Sequence, residues 1–122
     1  MQDVLASRLS SLERWEESIV ALRELTRLRP DDVGALLRLG SALLHGIGQP
    51  AEAVEPLRHA AWLAPANARV HAELALAQHQ LGDLAPALAE YEEALRLDPS
   101  YLEGRPGARL AFEAAQRGER WP

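Results

Sequence analysis

The stretch LGDLAPALAEYEEALRLDPS, residues 81–100, contains one complete helical segment with a start signal and a stop signal. A Gly-Asp pair precedes the segment, and Asp is a common N-cap because its side chain accepts hydrogen bonds from free backbone N–H groups. Leu88, Tyr91, Ala94 and Leu97 recur every three residues, which places them on one side of a helix. An Asp-Pro pair then ends the segment. The stretch therefore predicts a helix whose single apolar face must pack on another element.

The same pattern occurs twice more upstream, because Pro30, Pro65 and Pro99 close similar segments at spacings of 35 and 34 residues. A further helical segment precedes the closing one in the second and third copies, at 33–46 and 68–82. In those copies glycine-containing breakers separate the two segments, as expected for a short turn. The apolar positions of the earlier closing segments are Ile19, Leu22, Leu25 and Leu28, and Val54, Leu57, Ala60 and Leu63. The unit is therefore helix, turn, helix and proline, repeated three times.

Small residues recur at matched points, Gly40 and Ala75 in the first helix and Ala53 and Ala87 in the second, where they allow the two helices to approach closely. With the closing prolines, these residues resemble the tetratricopeptide repeat family. The resemblance implies an all-α, right-handed solenoid of three helix-turn-helix repeats plus a C-terminal capping helix. We expect one domain over 1–118, with repeats at about 1–32, 33–67 and 68–101, a capping helix at about 104–117 and a tail at 119–122, whose last three residues should be disordered. In the first repeat one helix should begin near Met1 and the next near Trp15.

Composition and charge exclude several classes of protein. The net charge is −5, all 13 cationic residues are Arg and are interspersed with Asp and Glu, and no continuous basic surface for nucleic acid is predicted. No apolar run approaches the ~20 residues of a membrane span. The chain has no Cys, so it cannot form disulfides or thiolate metal sites. We expect a cytoplasmic protein, and the absence of Lys suggests a bacterial source.

The resemblance implies a concave surface lined mainly by the first helix of each repeat, where a partner binds. The repeat register predicts that copies two and three line it with Leu37, Arg38, Ser41, Leu44, His45, Arg69, Ala72, Glu73, Leu76, His79 and Gln80. Copy one would add Asp3, Ser7, Ser10 and Ser11. Leu37, Leu44 and Leu76 have two interpretations, an apolar groove or packing in the core. The arginines either pair with acidic groups of a ligand or are solvated.

No residue pattern indicates catalysis or metal binding. His71 and His79 are eight residues apart, about 12 Å along a helix, so they cannot share an ion. Ser10 and Ser11 have no base at a suitable spacing, and no glycine-rich phosphate loop is present. We therefore predict a non-enzymatic adaptor or scaffold without a cofactor, which binds a protein or peptide through the groove. The alternative is a structural module that forms homo-oligomers through its repeat ends or its apolar patch.

Overall fold

The computed structural model describes the backbone of residues 4–121 and the side chains of residues 11–121. The expected contributions of Asp3, Ser7 and Ser10 to the concave surface therefore lie outside the described side chains, while Ser11 is exposed. The described residues form helices and turns and no β-strand. The helices are α1 (Val4–Leu28), α2 (Val33–Ser41), α3 (Pro50–Leu63), α4 (Ala68–Gln80), α5 (Leu84–Leu97) and α6 (Pro106–Gln116), and a π-helical segment (Ala42–Gly46) continues α2.

Each helix packs on the next one along the chain, as a helical repeat array requires, so the predicted all-α fold is confirmed. The last helix, α6, contacts both α4 and α5 and covers the end of the array. It begins at Pro106, where the missing proline N–H costs no hydrogen bond, and the turn before it uses Gly104 at a φ of +76°.

Side-chain caps define the starts of two of the first helices. Asp32 accepts a hydrogen bond from the backbone N–H of Ala35 at 3.1 Å, and Asn67 accepts one from Val70 at 3.2 Å. Asp83 occupies the N-cap position of α5, as expected, but its side chain makes no capping hydrogen bond. The two Asx caps place α2 and α4 at equivalent positions in successive copies.

The first copy departs from the expected helix pair, because α1 runs without a break through residues 12–14 and past Trp15. The later copies turn at Gly48 and Gly82, whose φ angles of +65° and +87° favour glycine. The repeat spacings place Glu13 at the equivalent position, between Leu12 and Arg14. All three are good helix formers, so nothing ends the helix there. The prediction of a turn before Trp15 was therefore wrong.

The second copy is one residue longer than the third, and the structure shows where the extra residue lies. Gly40 and Ala53 are 13 positions apart, whereas the equivalent Ala75 and Ala87 are 12 apart. The π-helical segment lies inside the longer interval, and a single π-helical turn is the usual way in which a helix accommodates one inserted residue.

The main core forms where the two helices of a copy cross at small residues. A Cβ atom added to Gly40 would lie 2.4 Å from Cγ of Leu57, a side chain with no solvent exposure. The crossing of α2 and α3 therefore leaves no room for a side chain on Gly40. Ala53, Ala75 and Ala87 are buried at the matched positions, and the core continues through them from copy two to copy three.

We predict that Gly40→Ala destabilises the protein, although Ala is the better helix former. Overpacking a filled core typically costs about 1–3 kcal/mol, which exceeds the gain of about 1 kcal/mol in helix propensity. Urea denaturation followed by circular dichroism measures the change. Gly34→Ala in the same helix is the matched control, because the nearest atom to its added Cβ would be Asp32 Oδ1 at 3.4 Å. The control should be neutral or stabilising; equal losses in the two variants would contradict the packing argument.

Candidate functional site

A cavity of about 360 Å³ opens between α4, α5 and the C-terminal segment, and we call it the cap cavity. Its walls are mostly apolar, and its rim carries cationic side chains. Ala72, Leu76, Tyr91, Ala94, Leu95, Tyr101, Leu102, Ala108 and Phe112 form the walls, and His45, Arg69, Glu73 and Arg105 complete the lining. Its volume lies within the range of roughly 300–1,000 Å³ that is usual for ligand pockets.

A second, more open groove of about 590 Å³ lies against α1, and we call it the N-terminal groove. It is lined by Trp15, Ser18, Ala21, Leu22, Leu25, Arg38, Ser41, Ala42, His45 and Arg69. His45 and Arg69 line both spaces, so the groove and the cap cavity adjoin. Together they form an inner surface that extends from α1 to α6.

A hydrogen-bonded polar cluster lies between the two spaces. Glu73 is only 6% exposed, and its carboxylate accepts a hydrogen bond from Ser41 Oγ at 2.5 Å. His45 Nε2 lies 3.0 and 3.1 Å from the two carboxylate oxygens of Glu73. An ionised carboxylate only accepts hydrogen bonds, so this nitrogen carries the proton. The cluster connects the end of α2 to α4 and thereby joins two successive copies.

The cluster changes the titration of both of its ionisable members. The hydrogen bond to Glu73 raises the pKa of His45 above its ordinary value, against the opposing effects of burial and of Arg69. Burial by itself raises the pKa of Glu73, but the hydrogen bonds from His45 and Ser41 and the charges of His45 and Arg69 together lower it. The two shifts favour an imidazolium–carboxylate pair.

The inner surface has the opposite sign of charge to the chain as a whole. Glu73 is the only carboxylate among the described residues that line the two spaces, and it is already hydrogen-bonded. The arginines that line them are Arg38, Arg69 and Arg105. Arg105 donates to the backbone carbonyl of Tyr101 and lies 4.1 Å from the centre of its ring. The surface is therefore suited to anionic groups, although the net charge of the chain is −5.

The predicted groove residues fall into two groups. Seven of them line the cap cavity or the N-terminal groove: Arg38, Ser41, His45, Arg69, Ala72, Glu73 and Leu76. Leu37 is half-buried and packs against the core, and Gln80 is half-buried and lines neither space. Leu44 belongs to the core at 3% exposure, because the helix face that carries it is covered, as it is at the matched position His79 of α4. Its assignment to the groove was wrong.

His79 was also predicted to line the groove, but it has no solvent exposure. Its Nε2–H donates to the carbonyl of Glu119 at 2.9 Å, and its Nδ1 accepts from the hydroxyl of Tyr91 at 3.2 Å. The ring of Trp121 packs edge-on at 5.5 Å. His79 therefore contacts the tail at Glu119 and Trp121, and the prediction of disorder for residues 120–122 was wrong at Trp121.

The wall of the cap cavity that follows Pro99 was not predicted from the sequence. It is formed by Tyr101, Leu102, Arg105 and Phe112, whose region was predicted only as a connection and a capping helix. The adjacent Tyr101 and Leu102 give the only local signal, since two large apolar residues directly after a helix stop indicate packing against a neighbour. Their position over α4 depends on how α6 docks, which the local sequence does not specify.

Ser41, Glu73 and His45 are residue types found in hydrolase triads, but their arrangement differs. In a triad, the serine contacts the imidazole, which removes its proton, and the carboxylate orients the imidazole. Here both Ser41 and His45 donate to the same carboxylate, so the serine proton is directed at Glu73 and not at the imidazole. Within residues 11–121, no three His, Cys, Asp or Glu side chains are close enough to hold a metal ion. None of the described helices is long and apolar enough to cross a membrane.

Two family models match the chain, and each describes a tetratricopeptide repeat. One matches residues 4–61 and the other residues 68–101, so together they cover most of the chain. The second match coincides with α4, α5 and the turn that follows. A search of curated proteins finds no match.

The stabilising effect of the polar cluster should depend on pH. His45 has a raised pKa, so its contribution is complete below its ordinary value of 6.5 and is lost as the pH rises through the folded value. Glu73 has a lowered pKa, so its contribution is complete above 4.5 and is lost at lower pH. We predict that His45→Gln lowers the melting temperature more at pH 5.5 than at pH 8.5. In a Glu73→Gln background this pH dependence should disappear. If His45→Gln lowered the melting temperature of the otherwise unaltered protein equally at both pH values, the prediction would be contradicted.

A double-mutant cycle tests the contacts of His79. Burial raises the pKa of Tyr91, so its hydroxyl remains protonated and donates to His79. His79→Phe leaves this hydroxyl and the carbonyl of Glu119 without their partner, which should cost about 1–3 kcal/mol of unfolding free energy. Tyr91→Phe removes the other member of the pair, and the double variant should lose clearly less than the sum of the single losses. Additive losses in urea denaturation would show that the pair is not coupled.

Proposed function

Because the chain belongs to the tetratricopeptide repeat family, we propose that it is a non-catalytic scaffold that binds a segment of a partner protein in its cap cavity. Repeats of this family are generally protein–protein interaction modules. The observation that carries the proposal is a mostly apolar cavity on the inner surface of the array, open to solvent and bordered by cationic side chains. Concave pockets with apolar walls and few polar groups are typical binding sites.

The chemistry of the cavity indicates what kind of segment it binds. Leu76, Leu95, Leu102 and Phe112 provide an apolar interior for a large aliphatic or aromatic side chain of the partner. Arg69 is exposed at the rim, and no carboxylate of residues 11–121 lies within ion-pair distance of it. Its guanidinium is therefore available to an acidic residue that flanks the apolar anchor. The proposed ligand is a peptide segment with a Leu or Phe next to Asp or Glu.

The polar cluster supports this assignment by fixing the floor of the site. Its single carboxylate is neutralised by His45 and hydrogen-bonded by Ser41, so it does not repel an acidic ligand as a free carboxylate would. Because the cluster joins α2 to α4, it also holds the two helices that present Arg38 and Arg69 at a fixed separation. A rigid site loses less conformational entropy on binding.

A peptide library with a fixed central Leu and randomised neighbours, displayed on phage, tests the proposal. We predict that the selected peptides are rich in Asp and Glu and bind more weakly as salt is increased, because surface charges are screened. Arg69→Glu should weaken a selected peptide by at least about tenfold in fluorescence anisotropy, since an ion pair becomes a like-charge contact. Ala108→Phe, which places a ring at the half-buried cavity lining, should also weaken binding.

Arg58→Glu is the matched control, because it makes the same change in net charge at an exposed position on α3 that lines neither space. The affinity of Arg58→Glu for a selected peptide should equal that of the unaltered protein. Circular dichroism of each variant establishes that the fold is retained. Peptides without acidic residues, or peptides that bind Arg69→Glu and Arg58→Glu equally well, would refute the proposed site.

A further inference from the structure

The N-terminal groove lies over a helix face that is covered in the other two copies. Ala53 and Ala87 are fully buried in α3 and α5, but Ser18 at the matched position of α1 is exposed. Leu22 is only partly buried, while its equivalents Leu57 and Tyr91 are almost completely buried. Within the part of the chain that the structure describes, α1 is therefore the second helix of a repeat with no first helix packed against it.

In copy two, the first helix of the same repeat covers this face. α2 packs on α3 so closely that Gly40 contacts Leu57. In copy one the matching contact surface is open, and Ser18, Leu22 and Leu25 line the N-terminal groove together with residues of α2. The groove thus has the location of a missing helix.

The sequence of that missing helix is present in the chain, at the beginning of α1. Counting back from Ser18 by the 12 residues that separate Ala75 from Ala87, Ala6 takes the position of Gly40, and Leu5 and Leu9 take those of Leu39 and Leu43. The family match also begins at residue 4. However, α1 continues straight through residues 12–14, so residues 4–14 extend along its axis for roughly 16 Å at 1.5 Å per residue. They cannot fold back onto the groove of their own chain.

We propose that two copies of this chain exchange these segments, so that residues 4–14 of each α1 occupy the N-terminal groove of the other. The first and second helices of a helix-turn-helix repeat run in opposite directions, and two straight α1 helices packed antiparallel recreate that arrangement twice. Gly40 faces Leu57 in copy two, and the matched positions in copy one are residue 6 and Leu22. If residue 6 of one chain packs against Leu22 of the other and the reverse, the two-fold axis passes near Arg14, which is midway between them in the sequence. The contact is reciprocal, as a closed dimer requires.

The size of this contact is sufficient for a stable dimer. Each chain contributes the eleven residues 4–14 and the ten residues that line the groove, or twenty-one residues a side. Stable interfaces involve about 20–30 residues a side. The contact also continues the packing of α1 on α2 and supplies the array with its missing helix. α1 does not line the cap cavity, and the two spaces share only His45 and Arg69.

Light scattering coupled to size-exclusion chromatography tests the exchange on the full chain. We expect a mass of twice 13.4 kDa at micromolar concentration. Ser18→Arg puts a long charged side chain at the small position of the groove and should give a folded monomer, because Ser18 is exposed in the single chain. Val20→Arg is the matched control: it lies on another side of α1 at 69% exposure, so its dimer should persist. A monomeric unaltered protein, larger assemblies, or a dimer that survives Ser18→Arg would overturn the proposal.

A hinge variant distinguishes exchange from other forms of dimer. Glu13→Gly with Arg14→Asp introduces the Gly-Asp turn found at Gly82 and Asp83. It should let residues 4–11 fold back onto their own groove and yield a monomer of similar helix content. A hinge variant that remains dimeric would show that the segments are not exchanged.

A single thiol tests the position of the two-fold axis, since the chain contains no Cys. Arg14 precedes Ser18 by one helical turn and lies on the same face. Arg14→Cys should therefore form a disulfide-linked dimer on mild oxidation, whereas Arg29→Cys, beyond the end of α1, should not. Equal cross-linking of the two variants would exclude the proposed axis.

Discussion

The close approach of paired helices at small residues is the constraint on which the rest of this structure depends. Gly40 has no space for a side chain against Leu57, and alanines occupy the equivalent positions of the neighbouring elements. Because the helices are close, the large side chains on either side of the crossing fill the core without gaps. Each pair also leaves an apolar face that only the next pair can cover. The array therefore grows by stacking, and its two ends present different surfaces.

The two ends of the array differ in how the exposed apolar face is covered. At the C-terminal end α6 packs over α4 and α5, and the last residues attach to His79. The space that remains under α6 is the cap cavity. The candidate binding surface therefore exists because a single helix does not cover the end of the array completely. At the N-terminal end the first helix of the repeat is not folded back, and its position remains as a groove. The same packing rule thus produces a candidate ligand site at one end and a candidate dimer contact at the other.

Between the two ends, the polar cluster around the buried Glu73 combines two effects. A buried carboxylate is costly unless it is paired and hydrogen-bonded, and Ser41 and His45 satisfy Glu73 on both of its oxygens. The cluster also neutralises the one carboxylate of an inner surface whose other charged side chains are mainly arginines. Its contribution to packing between copies and its contribution to the charge of the site therefore have the same origin.

The sequence by itself determined the helices, the repeat register and the helical class of the fold, because apolar spacing, caps and prolines act within a few residues of one another. It also indicated seven of the residues on the inner surface, since their helix face follows from the register. Tertiary structure decided the remainder. Leu44 and His79, at matched positions of two copies, are buried because tertiary packing covers that face of the first helices, and the wall from Tyr101 to Phe112 forms only where α6 packs on α4. The course of α1 depends on both levels. Glu13 stands where the later copies have a glycine, so the local sequence permits a continuous helix. Which groove the first half of α1 occupies is decided only by packing within or between chains.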